Sequence, residues 1–332
     1  MAHHHKTTRP TVGVAISGGS SRAIAALAVL EVLKERNIPI DYMVGCSSGA
    51  IVAAAFIGNT LKEFKEWMQN TSLQEMYKYW TINPAFRGGI YNIDSVEVLL
   101  KKFLNGATFE NARPKIGFVA ADIKTGELIT LSMGDVIMAI KASIAVPGLF
   151  EPVVWGNKLL VDGGLVSIVP TLPVKQLGAD VVIGIDVSGW RFIYELQMPM
   201  WRRWRVFTKV VGWEFMRRQQ AYLTQKFLNL ISYAPANETD KVKVPSVFSI
   251  LSQALDVSMK VADQWKESDL DCDVMIKPKV RQYHKTEMDN LREIYLEGRK
   301  AAEESIPAIL QAMENFQKNE SEAAQAKESR AS

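Results

Sequence analysis

Two apolar runs, each ending in glycine at the start of a helix, constrain this chain more than any other feature. Residues 11–17 and 41–44 are short, apolar and rich in β-branched side chains, which predicts two buried strands. Helical patterns follow each of them at 22–34 and 50–57. Strands that alternate with helices predict a mostly parallel sheet with helices on both faces, which is a three-layer α/β/α sandwich.

The same patterns continue through most of the 332 residues. Further strands are predicted at 118–121, 127–131, 159–161, 181–186 and 273–276, and further helices at 135–142, 247–265 and 287–313. We expect one domain over residues 11–316, interrupted at 190–245 by a divergent helical insert or cap. Residues 1–10, with three consecutive histidines, resemble an expression tag and linker. A native N-terminal signal could have been removed when such a tag was added. Residues 317–332 are polar and rich in Ala, Glu and Lys, and we expect a flexible tail.

The second of these glycine turns has the sequence of a nucleophile elbow. Gly45-Cys46-Ser47-Ser48-Gly49 lies between a short strand and a helix of small residues. A serine in such a sharp turn needs small residues two positions away on each side, so that the neighbouring chain segments can pass. Of the three adjacent candidate nucleophiles, Ser47 alone has glycine at both of these positions. Ser47 is therefore the predicted nucleophile.

A serine nucleophile needs a base, and two residues are candidates. Asp162 follows the apolar run 159–161 and precedes Gly163 and Gly164, which allow a tight turn and the close approach of another chain segment. An isolated aspartate is a weak base at neutral pH, so it would have to act through a short, oriented hydrogen bond. The alternative is His284, which would give the chain order of an α/β-hydrolase triad. Its polar, basic surroundings favour an exposed loop instead.

The first glycine turn is a candidate oxyanion hole. Small residues at Gly18, Gly19 and Ser20 place successive backbone N–H groups at the start of a helix, where an anion is stabilised. A phosphate-binding loop would need a lysine that is missing here. A dinucleotide-binding turn would need glycine where Ser20 and Ala23 stand. The turn therefore fits acyl transfer better than nucleotide binding.

Cofactor chemistry is not expected from this sequence. The chain has two cysteines, Cys46 and Cys272, whose spacing matches neither a disulfide framework nor a metal site. No apolar run approaches the length of roughly 18 residues that a membrane-spanning helix needs. We expect a cytoplasmic protein without metal or cofactor. Any contact with a membrane is expected to be peripheral.

Taken together, these motifs resemble those of the bacterial patatin-like phospholipases. The resemblance rests on the glycine-rich loop that ends at Arg22, the GxSxG elbow, the Asp-Gly-Gly turn at Asp162 and the stretch 142–152, in this order. It implies a three-layer fold and the hydrolysis of fatty-acyl esters of phospholipids or related lipids. It also implies a Ser47–Asp162 dyad, with the Gly18–Ser20 amides as oxyanion donors. Arg22, Gly45, Gly49, Gly163 and Gly164 would support these groups. The chain departs from the family at Ser20 and Ala23, where glycine is usual, and this leaves a weakly active lipid- or ligand-binding regulator as an alternative.

The predicted insert is strongly basic. Residues 191–226 contain six Arg and two Lys against two Glu, and Trp201 and Trp204 lie one helical turn apart among the arginines. Tryptophan with arginine in a helix is typical of peripheral contact with an anionic membrane, which we predict through 199–218. Packing against the core or in a homo-oligomer interface is the alternative. A nucleic-acid partner is not expected, because the basic segment is short and rich in tryptophan.

Overall fold

The predicted apolar runs form the strands of a central sheet. The structure is a computed structural model that describes residues 9–71, 81–83, 88–188, 250, 251, 254, 258, 272–283 and 288–331. All of these residues belong to one compact unit. The predicted insert at 190–245 lies outside the described residues, as does most of the helix predicted at 247–265.

Ten strands are found in the described part of the chain. They are β1 (Val12–Ile16), β2 (Tyr42–Cys46), β3 (Gly89–Tyr91), β4 (Lys115–Asp122), β5 (Leu128–Leu131), β6 (Gly148–Phe150), β7 (Val153–Trp155), β8 (Lys158–Asp162), β9 (Val181–Ile185) and β10 (Val274–Ile276). β3 and β6 form a small parallel pair, and the other eight strands form the central sheet. The consecutive pairs from β10 through β9, β1 and β2 to β4 are all parallel. The predicted mostly parallel sheet is therefore confirmed.

Helices of the described residues cover both faces of the sheet. They are α1 (Ala23–Glu35), α2 (Ser48–Ile57), α3 (Leu61–Asn70), α4 (Glu97–Leu104), α5 (Val136–Ile144), α6 (Thr171–Gln176) and α7 (Leu291–Ala331). None of these described helices is long and apolar enough to cross a membrane.

The alternation of side chains along each strand separates two cores. In β1, Val12, Val14 and Ile16 belong to the larger core, which includes residues of α1, α2 and α5. Ala15, on the opposite face, belongs to a smaller core with Val174 of α6. Successive side chains of a strand point to opposite faces, so a run that is apolar throughout requires helices on both sides.

The edges of β4 position two other strands end to end. β2 pairs with residues 115–119 of β4, and the antiparallel β8 pairs with residues 120–122. β5 pairs with residues 118–121, which overlap both sets, and so it occupies the other edge. β2 and β8 therefore lie along the same edge of β4, with their carboxyl ends facing each other.

The last helix packs closely along the first. A β-carbon added at Gly298 of α7 would lie 2.3 Å from the carbonyl oxygen of Ala25 in α1, so the two backbones are nearly in contact there. Polar side chains also join the two helices, in the pairs Tyr295–Glu31, Arg299–Glu35 and Glu303–Arg36.

Three features differ from the predicted elements. The helices α3, α4 and α6 and the strands β3, β6 and β7 were not predicted. The three strands and α6 are short, whereas α3 has an amphipathic pattern, with Phe64 and Met68 on its buried side, that was not used. β8 runs antiparallel to β4, in a sheet that was predicted to be mostly parallel. The region after Gln317, expected to be a flexible tail, continues α7 as a helix to Ala331. Its Ala, Glu, Lys and Gln residues are strong helix formers, so this polar segment can continue the helix through intrinsic helix propensity alone.

Candidate active site

Ser47 occupies a strained turn between β2 and α2. Its backbone angles are φ 52° and ψ −128°, in a region that residues with a β-carbon rarely adopt. Two close approaches require the flanking glycines. A β-carbon would lie 2.7 Å from the Cα of Ala50 if added at Gly45, and 2.6 Å from the carbonyl oxygen of Ile16 if added at Gly49. This strand–turn–helix path with a positive φ at Ser47 is the geometry that a nucleophile elbow requires.

Asp162 lies opposite Ser47 at the point where β2 and β8 meet. Cys46, the residue before Ser47, pairs with Val119 of β4, and Asp162 pairs with the next residue, Ala120. The Asp162 side chain is buried, and its Oδ1 accepts a hydrogen bond of 2.7 Å from the backbone N–H of Gly164. The two strands therefore bring the predicted nucleophile and base to neighbouring positions from parts of the chain 115 residues apart.

Both glycines after Asp162 lie in restricted space. A β-carbon at Gly163 would lie 2.5 Å from the carbonyl oxygen of Val119, and one at Gly164 would lie 3.1 Å from Oδ1 of Asp162. The turn that ends β8 thus has room only for glycine at the first position. At the second, a larger residue would press on the carboxylate itself.

Cys46 lies in the electrostatic environment of Asp162 and of the glycine-rich loop. Burial raises the pKa of the Cys46 thiol well above its ordinary value, and the nearby charge of Asp162 raises it further, while a hydrogen bond with the Gly18 backbone opposes the change. The thiol is therefore protonated at neutral pH and is a poor nucleophile.

The glycine-rich loop packs directly against the elbow. A β-carbon at Gly18 would lie 2.8 Å from Cβ of Ser47 and 3.5 Å from its Oγ, which explains glycine at this position. The N–H of Gly19 donates a hydrogen bond of 2.9 Å to Oγ of Ser48, and Ser20 adopts a left-handed conformation with φ 55°. The loop therefore lies where the sequence predicts, but the Gly19 amide points at a side chain of the elbow.

Arg22 connects the loop to two other segments. Its buried guanidinium donates a hydrogen bond of 2.8 Å to the carbonyl oxygen of Ser188, and Nε donates one of 3.0 Å to that of Tyr283. Arg22 thus links the start of α1 to the chain just after β9 and to the segment before α7. This is a structural contribution to the loop, consistent with the predicted supporting role.

Two contacts from the end of α5 were not anticipated from the sequence. Oγ of Ser143 accepts a hydrogen bond of 3.1 Å from the backbone N–H of Ser47. The carbonyl oxygen of Ala145 accepts one of 2.9 Å from the N–H of Asp162. The only signal for these residues was their position in the stretch 142–152, to which the sequence assigned no role.

The other candidate groups add little to this site. His284, the alternative base, lies outside the described residues. Within the part of the chain that the structure describes, no three His, Cys, Asp or Glu side chains are grouped so that they could hold a metal ion.

Comparison with known protein families gives a match over about half of the chain. The sequence model of the patatin-like phospholipases matches residues 14–175, which include Ser47, Ser143 and Asp162. The chain carries a patatin-like phospholipase domain. The resemblance inferred from the motifs is confirmed at the level of the domain family, and the central sheet described above is the sheet of a patatin fold.

Several curated proteins are similar to this chain over about half of its length. Two uncharacterized NTE family proteins of Mycobacterium tuberculosis are 27% and 34% identical over 184 and 185 residues, which are 55% and 53% of this chain and 51% and 30% of those proteins. The lysophospholipase nte1 of Aspergillus oryzae is 26% identical over 54% of this chain and 12% of its own length. The chain thus spans about half, or less, of the length of these relatives.

A solved structure gives a weaker match. Human GIVD cytosolic phospholipase A2, in complex with a fluorophosphonate inhibitor, aligns with 94% of this chain and 60% of its own, at 11% identity and a TM-score of 0.41.

Proposed function

We propose that this protein hydrolyses fatty-acyl esters of phospholipids or lysophospholipids, with Ser47 as nucleophile and Asp162 as general base. The observation that carries the proposal is the meeting of β2 and β8 on one edge of β4. Ser47, with its strained backbone, follows the first of these strands and the buried Asp162 ends the second, which supports pairing the two residues. The family match over residues 14–175 and the similarity to a fungal lysophospholipase support a lipid ester as substrate.

The reaction would proceed in two steps. In the first, Oγ of Ser47 attacks the acyl carbonyl carbon as its proton passes to Asp162, and the tetrahedral intermediate collapses by breaking the bond to the lipid alcohol. That alcohol leaves with the proton from Asp162. In the second, water gives a proton to Asp162 and attacks the acyl-enzyme, and the fatty acid leaves as Ser47 regains its hydrogen.

The negative oxygen of the intermediate would be held by amides of Gly18, Gly19 and Ser20. The N-terminus of α2 directly after Ser47 adds a partial positive charge. In the structure without substrate, the Gly19 N–H donates to Oγ of Ser48, so it would have to exchange this partner for the oxyanion. A hydroxyl is a modest acceptor, and a charged oxygen forms a stronger hydrogen bond with the same donor.

Hydrolysis assays of single-site variants test the dyad. We expect the wild-type protein to cleave a short-chain p-nitrophenyl ester and lysophospholipid micelles. Ser47→Ala and Asp162→Asn are each expected to lower kcat by about 10³-fold or more. Ser48→Ala, a matched change at the next position, is expected to keep kcat within about tenfold, since it removes one hydrogen bond to the loop. Equal losses in Ser47→Ala and Ser48→Ala would contradict the assignment of the nucleophile.

Covalent labelling gives a second readout that does not depend on the substrate. A fluorophosphonate reacts with an activated serine, and mass spectrometry locates the adduct. We expect the label on the peptide that contains Ser47 and none in Ser47→Ala. A wild-type protein that neither hydrolyses esters nor reacts would instead support the alternative of a patatin-like protein that binds lipid without cleaving it.

We also propose that the basic segment 199–218 brings the domain to anionic membranes. The proposal rests on its sequence alone, in which tryptophan and arginine recur at helical spacing. Cosedimentation with phosphatidylserine vesicles tests it in a variant with Arg202, Arg203 and Arg205 changed to Glu. The triple variant is expected to lose binding, and unchanged binding would rule out this contact.

A further inference from the structure

The carboxyl end of α5 contacts both residues of the proposed dyad through their backbone. Ser143 accepts the N–H of Ser47 at 3.1 Å, and Ala145, two residues later, accepts the N–H of Asp162 at 2.9 Å. One short turn of chain therefore holds the ends of β2 and β8, which are not hydrogen-bonded to each other as strands.

Both acceptors are buried. Ser143 and Ala145 are each 0% exposed, whereas Ser47 is half-buried. Backbone N–H groups away from bulk water are almost always hydrogen-bonded, so the Ser47 amide loses its protein partner if the Ser143 hydroxyl is removed. The amide of Ser47 would then have to turn or remain unsatisfied.

The turn is itself fixed from the other side of α5. Lys141, whose side chain is 3% exposed, lies 2.8 Å from Oδ1 of Asp94 and 2.5 Å from Oε2 of Glu97. Burial alone would lower the pKa of Lys141, but the hydrogen bonds with these two carboxylates outweigh it and raise the pKa, so the ammonium group stays charged. The helix is thereby tied to the start of α4 and cannot slide easily relative to the elbow.

We infer that Ser143 is a positioning residue for catalysis, which acts through the Ser47 amide to set the placement of the nucleophile relative to Asp162. Ser47 adopts a backbone conformation that is unfavourable by itself, and such strain persists only where surrounding contacts enforce it. The hydroxyl of Ser143 is one of these contacts, and Ala145 provides the matching one at Asp162. The inference rests on the proposed function, because it assigns a role in the same reaction.

Kinetics of Ser143→Ala test this role against a merely structural one. Displacement of a reacting group by about 1 Å can cost about 10²-fold in rate, so we expect kcat on the p-nitrophenyl ester to fall by about tenfold to 10²-fold. KM should stay within about twofold because the acyl-binding surface is unchanged, and the rate of fluorophosphonate labelling should fall in parallel with kcat. Thr60→Val is the matched control: it removes another buried hydroxyl, which donates to the carbonyl oxygen of Phe103 at 2.6 Å.

The outcomes separate the inference from the proposed function. Thr60→Val is expected to lose stability but keep kcat within about twofold. The inference would be overturned if Ser143→Ala kept the wild-type kcat, or lost no more of kcat than Thr60→Val does. The proposed function would still stand in that case, provided that Ser47→Ala is inactive. Ester hydrolysis that survives Ser47→Ala would overturn the proposed function first. Should Ser143→Ala not fold, Ser143→Cys keeps a weaker acceptor at the same place and permits the same comparison.

Discussion

At the scale of single residues, the site depends on positions where a side chain has no room. Gly18, Gly45 and Gly49 surround Ser47, and an added β-carbon at each would come within 2.8 Å of a neighbouring atom. For Gly45 and Gly49 the obstacles are backbone atoms, which cannot rotate away as a side chain can. These glycines therefore define the path of the chain around the nucleophile.

Gly49→Ala is expected to lower both stability and activity. The new methyl group would lie 2.6 Å from the carbonyl oxygens of Ile16 and Ser17, so β1 and α2 must move apart, at a cost of about 1–3 kcal/mol in the free energy of unfolding. That movement displaces Ser47 as well. Urea unfolding and ester hydrolysis at matched folded concentration would measure the two effects.

Gly106→Ala is the control for this change. Gly106 has φ +80° with no atom within 4 Å of an added β-carbon, so alanine there costs only the left-handed backbone, about 1–2 kcal/mol. We expect Gly106→Ala to keep full activity per folded molecule. Full activity in Gly49→Ala as well would mean that the elbow tolerates a wider turn than its geometry indicates.

Sequence could predict which residues are candidates for the site but not how their amides point. Glycine at both flanking positions selected Ser47 as a candidate, and the turn after an apolar run selected Asp162. The orientation of the Gly19 N–H toward Ser48 depends on the rotation of one peptide plane, which leaves no pattern in the residue types. The contact of Ser143 with Ser47 joins residues 96 positions apart, and a lone serine in a helix does not indicate such a partner.

At the scale of helices and strands, the positions of most central strands along the chain were predictable, but the direction and register of β8 were not. Apolar runs located β1, β2, β8 and β9, because strands buried on both faces are apolar throughout. The direction of β8 could not be inferred, since the same apolar run suits a parallel or an antiparallel neighbour. The register of the antiparallel β8 on β4 brings Asp162 to the end of β2, and the sequence alone did not indicate this register.

Gly298→Ala tests the close packing of α1 against α7. Glycine in the interior of a helix is usually less stable than alanine by about 1 kcal/mol, so replacement would ordinarily stabilise the protein. Here the methyl group would lie 2.3 Å from the carbonyl oxygen of Ala25, and we expect a net loss of about 2 kcal/mol as the helices separate. Thermal or urea unfolding would measure it.

The exposed Lys300 of the same helix provides the comparison. Lys300→Ala replaces one strong helix former by another, and its unfolding free energy should stay within about 0.5 kcal/mol of the wild type. A Gly298→Ala protein more stable than the wild type would show that the two helices can move apart without cost.

At the scale of the whole molecule, stability in acid depends partly on the ion pairs around α5. Hydrogen bonds with Lys101 and then Lys141 lower the pKa of Glu97 from 4.5 to about 2. A carboxylate whose pKa is lower in the folded state stabilises the protein above its unfolded pKa, and this contribution is lost as the pH falls from about 4.5 toward 2.

Glu97→Gln is therefore expected to lower the free energy of unfolding at neutral pH and to have little effect on it in acid. At pH 7 we expect a loss of about 1 kcal/mol in the free energy of unfolding, because solvent screens a side chain that is one-third exposed. The difference from the wild type should shrink at pH 4, and further at pH 3. Urea unfolding at the three pH values measures this, with Glu304→Gln, an exposed position on α7, as control. A difference that stays constant with pH would contradict the ion-pair explanation.

The meeting of β2 and β8 has a consequence for how the protein would lose activity. Ser47 follows a strand that is paired on both sides, with four residue pairs to β1 and five to β4, whereas Asp162 ends a hairpin that joins β4 through three. Segments with fewer backbone pairs open more often than the rest of a domain, and here the buried side chains of β8 and the contact of Asp162 with Ala145 oppose such opening. Brief detachment of residues 153–162 would remove the base while the nucleophile stays in place. Inactivation by mild heat or denaturant would then be reversible and would precede global unfolding, and amide hydrogen exchange in this hairpin would report how often the two halves of the site come apart.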